Sequence, residues 1–163
     1  MDGYRTIIVG TDGSASSMRA VEQAGAFAGQ QNAKLVVATA HLHHSEKGGW
    51  SRPPSPDPSS DRSAEDALGA ESGYRTHGDA RIYEILKDAR ECATAAGAKD
   101  VEERDVVGAP VEALIKLAKD VNADLIVVGD VGLDSAAGRL LGSVPSDVAR
   151  KSKVDILIVH TGN

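Results

Sequence analysis

Glycine residues in the last third of the sequence have a spacing typical of a phosphate-binding loop. Gly129 and Gly132 follow the apolar run Leu125–Val128, and nine further residues separate them from Gly142 and Ser143. Glycines after a buried strand let backbone N–H groups approach a ligand closely. The first turn of a helix offers free N–H donors and a favourable dipole to an anion. This order predicts a phosphate cradle, although strand, glycine and helix also follow one another in ordinary α/β connections.

A second polar turn, Thr11–Ser14, follows the β-branched run Thr6–Gly10. Asp12 in this turn is suited to accept a hydrogen bond from a ligand hydroxyl or to cap the next helix. Ser14 has no histidine near it in the sequence, so a serine nucleophile activated by histidine is not predicted. A Walker A motif is also absent, because no Gly-Lys-Ser/Thr follows any glycine loop.

These turns must be positioned by a series of alternating strands and helices. Apolar runs predict five strands, at residues 6–10, 34–40, 101–107, 124–128 and 154–160. Apolar residues at helical spacing predict helices at about 18–28, 82–96, 110–121 and 143–151. Short connections between such elements imply parallel strands, and two halves wound in opposite directions give the order 3-2-1-4-5. The predicted fold class is therefore α/β: a single-domain, Rossmann-like, five-stranded parallel sheet with helices on both faces.

The predicted strand order brings the two polar turns together. Strands 1 and 4 are neighbours at the point where the winding direction changes, and ligands of open α/β sheets bind beyond the carboxyl ends there. The turns at residues 10–14 and 129–132 should therefore line one crevice. The strand at 101–107 has a charged first half, which indicates a position near a sheet edge.

Composition excludes several classes of partner. The chain has 163 residues, a net charge of −6 and no block of lysine or arginine, so neither nucleic acid nor an anionic membrane is an expected partner. A transmembrane helix requires about 20 consecutive apolar residues, and no apolar run in the sequence is nearly that long. The first residues lead directly into a strand, so no signal peptide is expected. The single cysteine, Cys92, excludes an internal disulfide, and we expect a cytoplasmic location.

A segment rich in proline, serine and glycine interrupts the pattern at about residues 43–79. Such a composition buries too little apolar area to offset its ordering entropy, so we predict a flexible insertion within a domain spanning 4–163. Trp50, the only tryptophan, lies in it and is either a lid or a surface aromatic. His41, His43 and His44 stand near its start, but no cysteine accompanies them. We therefore expect solvated loop histidines and no metal site.

The glycine pattern, from Gly129 and Gly132 to Gly142 and Ser143, resembles the nucleotide-binding signature of the universal stress protein family. Residues 8–14 resemble the first strand and acidic turn of that family. Residues 106–110 resemble its third strand and the following helix start, and residues 154–160 its closing strand. The resemblance covers the chain outside residues 43–79. It implies a Rossmann-like fold of the adenine nucleotide alpha hydrolase type and a homodimer, commonly paired through the last strand.

The predicted crevice and the resemblance together define a set of ligand-binding residues. By resemblance, Asp12 meets the ribose or the base edge, the backbone of Ala40 contacts adenine, and the end of strand 4 lies beside the sugar. The glycine loop and the following helix start hold phosphate. The predicted set is Gly10, Thr11, Asp12, Ala40, Val128, Gly129, Val131, Gly132, Arg139, Gly142, Ser143 and Val144. No catalytic residue and no metal ligand is predicted.

The charges near the loop favour a ligand with one phosphate charge. A triphosphate needs cations or many donors, whereas Arg139 is the only cation nearby and Pro145 has no N–H at the helix start. Asp130 stands inside the loop, and two like charges about 4 Å apart at an effective dielectric near 20 cost about 4 kcal/mol. If Asp130 points to solvent, it repels nothing. A resemblance to the cyclic-AMP-binding branch of the family rests on Val131, Gly132, Leu133 and Pro145.

Three functions follow as expectations. The first is a universal stress protein that binds or sequesters cyclic AMP without chemistry and without a metal. The alternative is an ATP-binding protein with slow ATPase or phosphotransferase activity that uses Asp12 and a metal. The third is a dimeric, stress-linked interaction protein with a vestigial pocket. The expected partners are an adenine nucleotide and a second copy of the chain, joined through the last strand.

Overall fold

A computed structural model describes residues 3–41, 77–130 and 143–161 of the chain and shows a five-stranded parallel sheet. The elements are β1 (Thr6–Gly10), α1 (Ala15–Gln31), β2 (Lys34–His41), α2 (His77–Ala96), β3 (Asp100–Val107), α3 (Pro110–Asp120), β4 (Leu125–Gly129), α4 (Ser143–Lys151) and β5 (Asp155–Val159). The strand order is β3-β2-β1-β4-β5. The predicted fold class and strand order are confirmed.

The proposed insertion falls largely outside the described residues. Only residues 77–79 of the span 43–79 are described, and they already belong to α2, so the helix begins earlier than predicted. Trp50, His43 and His44 lie outside the described residues. Among the described helices, none combines the length and the apolar character that crossing a membrane requires.

Helices cover both faces of the sheet, and β1 shows why its sequence is continuously apolar. Ile7 and Val9 pack in the cluster under α1 and α2, whereas Ile8 packs in the cluster under α3 and α4. All three side chains are fully buried. A parallel strand with both faces covered cannot alternate apolar and polar residues, which explains the uninterrupted run in the sequence.

Two glycines bring α1 and α2 unusually close together. A Cβ atom at Gly25 would lie 2.6 Å from the carbonyl oxygen of Ala93, and one at Gly29 would lie 2.4 Å from that of Gly97. Side chains at these positions would collide with backbone atoms, which cannot move aside as a flexible side chain can. The glycines therefore fix how α1 lies on the sheet, and with it the position of the turn that precedes α1.

The two edge strands of the sheet differ in character. β3, predicted to lie near an edge, is one edge, and its Glu102 forms ion pairs with Lys34 and Arg104. β5 is the other edge and reads Asp-Ile-Leu-Ile-Val, with Leu157 37% exposed. An edge strand carries unpaired backbone N–H and C=O groups. Within the described residues no strand pairs with the outer side of β5.

Candidate functional site

A crevice opens at the carboxyl ends of the neighbouring parallel strands β1 and β4. α1 leaves the end of β1 toward one face of the sheet, and α4 covers the opposite face, so this is the topological switch point. The crevice encloses about 120 Å³, far more than the about 10–15 Å³ that one water molecule needs. Its lining residues are Gly10, Thr11, Asp12, Ser17, Ala38, Ala40, Pro110, Leu114, Val128, Gly129, Val144 and Pro145.

Most of the predicted site residues that the structure describes lie at this crevice. Those that line it are Gly10, Thr11, Asp12, Ala40, Val128, Gly129 and Val144. Ser143 is the first residue of α4, directly before Val144. Val131, Gly132, Arg139 and Gly142 lie outside the described residues, so their expected ligand contacts remain predictions.

One corner of the crevice is a compact polar network between β1 and α1. Asp12 Oδ1 accepts hydrogen bonds from the backbone N–H of Ser14 at 2.9 Å and from Ser17 Oγ at 2.9 Å. Ser17 Oγ also lies 2.8 Å from Thr11 Oγ1. Ser14 caps α1, because its side chain accepts a hydrogen bond from the backbone N–H of Ser17 at 3.2 Å. Asp12 is thus held in one orientation before any ligand arrives.

The Asp12 carboxylate is ionised and is held through its Oδ1 atom. Burial raises the pKa of Asp12, but the hydrogen bonds from Ser14 and Ser17 lower it by more, so the net pKa is below the ordinary aspartate value. Both hydrogen bonds end on Oδ1. The second oxygen, Oδ2, accepts neither of these two bonds and is suited to accept one from a ligand hydroxyl.

On the side opposite this network, the crevice is narrow and its wall is apolar. Leu114 of α3 reaches so close to β1 that a Cβ atom at Gly10 would lie 3.0 Å from its Cδ1. Small side chains at Ala38 and Ala40 form the floor, and Pro110 lies at the start of α3. An apolar slot with a polar group at one end suits a planar ring that carries a hydroxyl-bearing substituent.

The start of α4 forms the third side of the crevice. Val144 and Pro145 both line it, and Pro145 is fully buried. The first N–H groups of a helix have no partner within the helix, but a proline supplies none. The first turn of α4 therefore offers an anion fewer donors than a helix start without proline.

Asp130 is not among the residues that line the crevice, and its carboxylate is directed toward the segment after β5. Its Oδ1 accepts hydrogen bonds from the backbone N–H of Thr161 at 2.8 Å and from Thr161 Oγ1 at 2.7 Å. Its Oδ2 lies 2.5 Å from His160 Nδ1. Burial raises the pKa of Asp130, but the hydrogen bonds from Thr161 and His160 lower it by more. The carboxylate is thus engaged by the segment after β5.

His41 also differs from its prediction as a solvated loop residue. It is the last residue of β2, pairs in register with Val107 of β3, and is half-buried. Its Nε2 contacts the carboxylate of Asp105. Within residues 3–41, 77–130 and 143–161, no group of three or more histidine, cysteine, aspartate or glutamate residues is placed to hold a metal ion.

Sequence reasoning missed several lining residues, some of which left a signal. Ser17 stands three residues after the helix cap Ser14, where a hydroxyl reaches back to the preceding turn. Ala38 precedes Ala40 by two residues and so shares its face of β2. Leu114 lies in the buried apolar stripe of α3, and no sequence pattern shows that this stripe ends at a ligand crevice.

Comparison of the chain with known proteins identifies relatives that match nearly its whole length. The family model described as the universal stress protein family matches residues 3–160. Universal stress protein Rv1636 of Mycobacterium tuberculosis (strain H37Rv) is 55% identical over 161 residues, which cover 99% of each chain. A crystal structure of a universal stress protein in complex with cAMP is 49% identical to this chain, with a TM-score of 0.71; the match covers 98% of this chain and 99% of that one.

A more distant structure shares the fold alone. The universal stress protein from Archaeoglobus fulgidus in complex with dAMP is 21% identical, with a TM-score of 0.59. The match covers 97% of this chain and 98% of that chain. The sheet and its helices are therefore common to proteins whose sequences have diverged widely.

Proposed function

The chain belongs to the universal stress protein family, and from this premise we propose that it binds cyclic AMP in the crevice between β1 and β4 without chemical turnover. The observation that carries the proposal is the combination of an apolar slot with one fixed, ionised carboxylate. The nearly full-length relative in complex with cAMP, at 49% identity, supports the same ligand.

Each part of cyclic AMP has a counterpart in the crevice. The adenine ring would occupy the slot between Leu114 and the floor formed by Ala38 and Ala40. The cyclic phosphate esterifies the 3′ and 5′ oxygens and leaves the ribose 2′-hydroxyl as a donor. Oδ2 of Asp12 is the acceptor we assign to that hydroxyl, because Oδ1 is already occupied.

The phosphate would lie at the first turn of α4. Backbone N–H groups of Ser143 and Val144 are the donors that this turn can supply, since Pro145 has none. One negative charge suits this small donor set better than the about three to four charges of a triphosphate. We retain Val131, Gly132, Arg139 and Gly142 as proposed contacts of the glycine loop.

Calorimetric titration of the full chain tests the proposal and its two alternatives together. Cyclic AMP, AMP and ATP are titrated with and without magnesium, alongside a phosphate-release assay. We expect cyclic AMP to bind more tightly than ATP, the affinity to ignore magnesium, and no phosphate to be released. Magnesium-dependent ATP turnover would establish the enzymatic alternative. If no nucleotide releases heat, the remaining alternative is an interaction protein with a vestigial pocket.

We also propose that two copies of the chain associate through β5. The strand is an edge of the sheet, it carries apolar side chains, and Leu157 is 37% exposed. Antiparallel pairing of two such edges would satisfy the free backbone groups and cover Leu157. Sedimentation equilibrium should give a mass of two chains, and Ile158→Pro should give a single chain because proline removes a ladder donor.

A further inference from the structure

Thr161, two residues beyond β5, is buried, with 5% of its surface exposed. Its backbone N–H, its carbonyl oxygen and its hydroxyl group all form hydrogen bonds. Its backbone N–H and its Oγ1 both bond to Oδ1 of Asp130, at 2.8 and 2.7 Å. The same Oγ1 lies 2.6 Å from Ser16 Oγ. Its carbonyl oxygen accepts a hydrogen bond from Arg19 Nη1 at 2.7 Å. One residue therefore connects three segments of the fold.

The segments that Thr161 connects carry the two sides of the crevice. Asp130 follows Gly129, which ends β4 and lines the crevice. Ser16 precedes Ser17, which lines the crevice and holds Asp12. Thr161 itself is not a lining residue. Its hydroxyl thus lies behind the crevice, between the end of β4 and the first turn of α1.

Packing around Gly129 supports the same picture. A Cβ atom built on Gly129 would lie 3.4 Å from Thr161 Cγ2 and 3.6 Å from Ser16 Oγ. The end of β4 is therefore in contact range of both partners of the hydroxyl pair. The Thr161–Ser16 hydrogen bond therefore joins the first turn of α1 to the residue that packs against Gly129.

We propose that Thr161 is a positioning residue for nucleotide binding, whose hydroxyl sets the separation between the end of β4 and the start of α1. The inference rests on the proposed nucleotide function, since crevice width matters only if a ligand occupies it. Asp130 accepts the hydrogen bond that the Thr161 hydroxyl donates, which leaves Thr161 Oγ1 to accept one from Ser16 Oγ. The residue acts on affinity without touching the ligand.

Three substitutions separate the hydroxyl from the rest of the residue. Thr161→Val keeps the shape and removes the hydroxyl, whereas Thr161→Ser keeps the hydroxyl and removes the methyl group. Ser16→Ala removes the other end of the link and gives a second test if Thr161→Val folds poorly. Thr94→Val is the control, because the Thr94 hydroxyl donates to the carbonyl of Arg90 within α2 and Thr94 is not among the lining residues of the crevice.

Calorimetric titration of each variant with cyclic AMP, at a temperature where thermal melts show it fully folded, gives the readout. We expect Thr161→Val and Ser16→Ala to weaken binding about tenfold, which is the fold-change that corresponds to the free energy of one buried hydrogen bond. We expect Thr161→Ser to bind within about twofold of the unaltered protein and Thr94→Val to be unchanged. Recovery by serine is a result that a role in packing alone would not give.

Two results would overturn the inference. If the unaltered protein binds cyclic AMP and both Thr161→Val and Ser16→Ala bind it equally well, Thr161 does not position the crevice. If Thr161→Ser weakens binding and Thr161→Val does not, the methyl group matters and the hydroxyl does not. Absence of binding by the unaltered protein would overturn the proposed function itself and this inference with it, and that result is visible without any variant.

Discussion

The assignment of Asp12 to the ribose 2′-hydroxyl can be tested by exchanging one oxygen for an NH₂ group. Asp12→Asn keeps the size of the side chain and keeps an Oδ1 that can accept from Ser14 N–H and Ser17 Oγ, as it does now. With Oδ1 held there, the amide places a donor where the carboxylate offered Oδ2. The substitution therefore removes the proposed acceptor while the network around it persists.

The expected magnitude follows from the charge on Asp12. The lowered pKa of Asp12 keeps the carboxylate ionised at neutral pH, and a hydrogen bond to a charged group contributes about 1.5–3 kcal/mol. Each 1.4 kcal/mol corresponds to about tenfold in the dissociation constant. Asp12→Asn should therefore weaken binding of cyclic AMP by about 10- to 100-fold.

A double-mutant cycle with 2′-deoxy cyclic AMP isolates this one contact. The unaltered protein should bind the deoxy ligand about 10- to 100-fold more weakly than cyclic AMP, because the carboxylate loses its donor. Asp12→Asn should bind both ligands with similar, weak affinity, since the amide leaves no charged acceptor for the 2′-hydroxyl. Calorimetry on the two proteins with the two ligands gives all four dissociation constants.

Two results would refute the reasoning. If the unaltered protein does not distinguish the two ligands, the 2′-hydroxyl is not bound by Asp12 or by any other group. If Asp12→Asn weakens both ligands by the same factor while the unaltered protein still distinguishes them, Asp12 acts through the polar network and another group binds the hydroxyl. Ser17→Ala is the control, because it removes a donor to Oδ1 without removing Oδ2, and discrimination between the ligands should survive it.

Three further predictions concern stability and ligand choice. Gly25→Ala should lower the free energy of unfolding by about 1–3 kcal/mol in urea titrations, because its Cβ meets backbone atoms of α2, whereas exposed Gln23→Ala should change it by less than about 0.5 kcal/mol. Asp12 and Asp130 both have a pKa below the ordinary value of 3.8, so their contribution to stability is present above that value and is lost as the pH falls through the lower, folded pKa. Acid unfolding of the double asparagine variant should accordingly show a weaker pH dependence below about pH 4, and an unchanged slope would contradict the assigned shifts. Pro145→Thr restores an N–H at the start of α4 and should shift the affinity ratio toward ATP by about two- to tenfold, measured by competition titration; a constant ratio would remove the donor argument.

The sequence was sufficient for the sheet because its information is local. The run Ile7–Val9 is apolar on both faces, and only a strand covered by helices on both sides accepts such a run. The start of α3 is also marked locally, since Pro110 fits the first position of a helix. Strand order followed from how such strands connect, so the place of the crevice could be predicted as well.

The direction of individual side chains could not be predicted in the same way. Asp130 was expected to face the ligand, but its orientation is set by Thr161, 31 residues further along the chain. His41 was expected in a loop, but pairing with Val107 extends β2 by one residue. In both cases a contact distant in sequence decides the outcome, and no local pattern records it.

The contrast between the two edges of the sheet limits how copies of this chain can assemble. β3 carries charged residues along most of its length, and such an edge resists pairing with another strand. Of the two edges of the described sheet, β5 is the apolar one and is the more suited to pair with another strand. In a dimer joined at β5, both apolar edges would be paired and the charged β3 strands would form the two outer edges. Such a dimer would not add further copies, and it would not extend into a fibril.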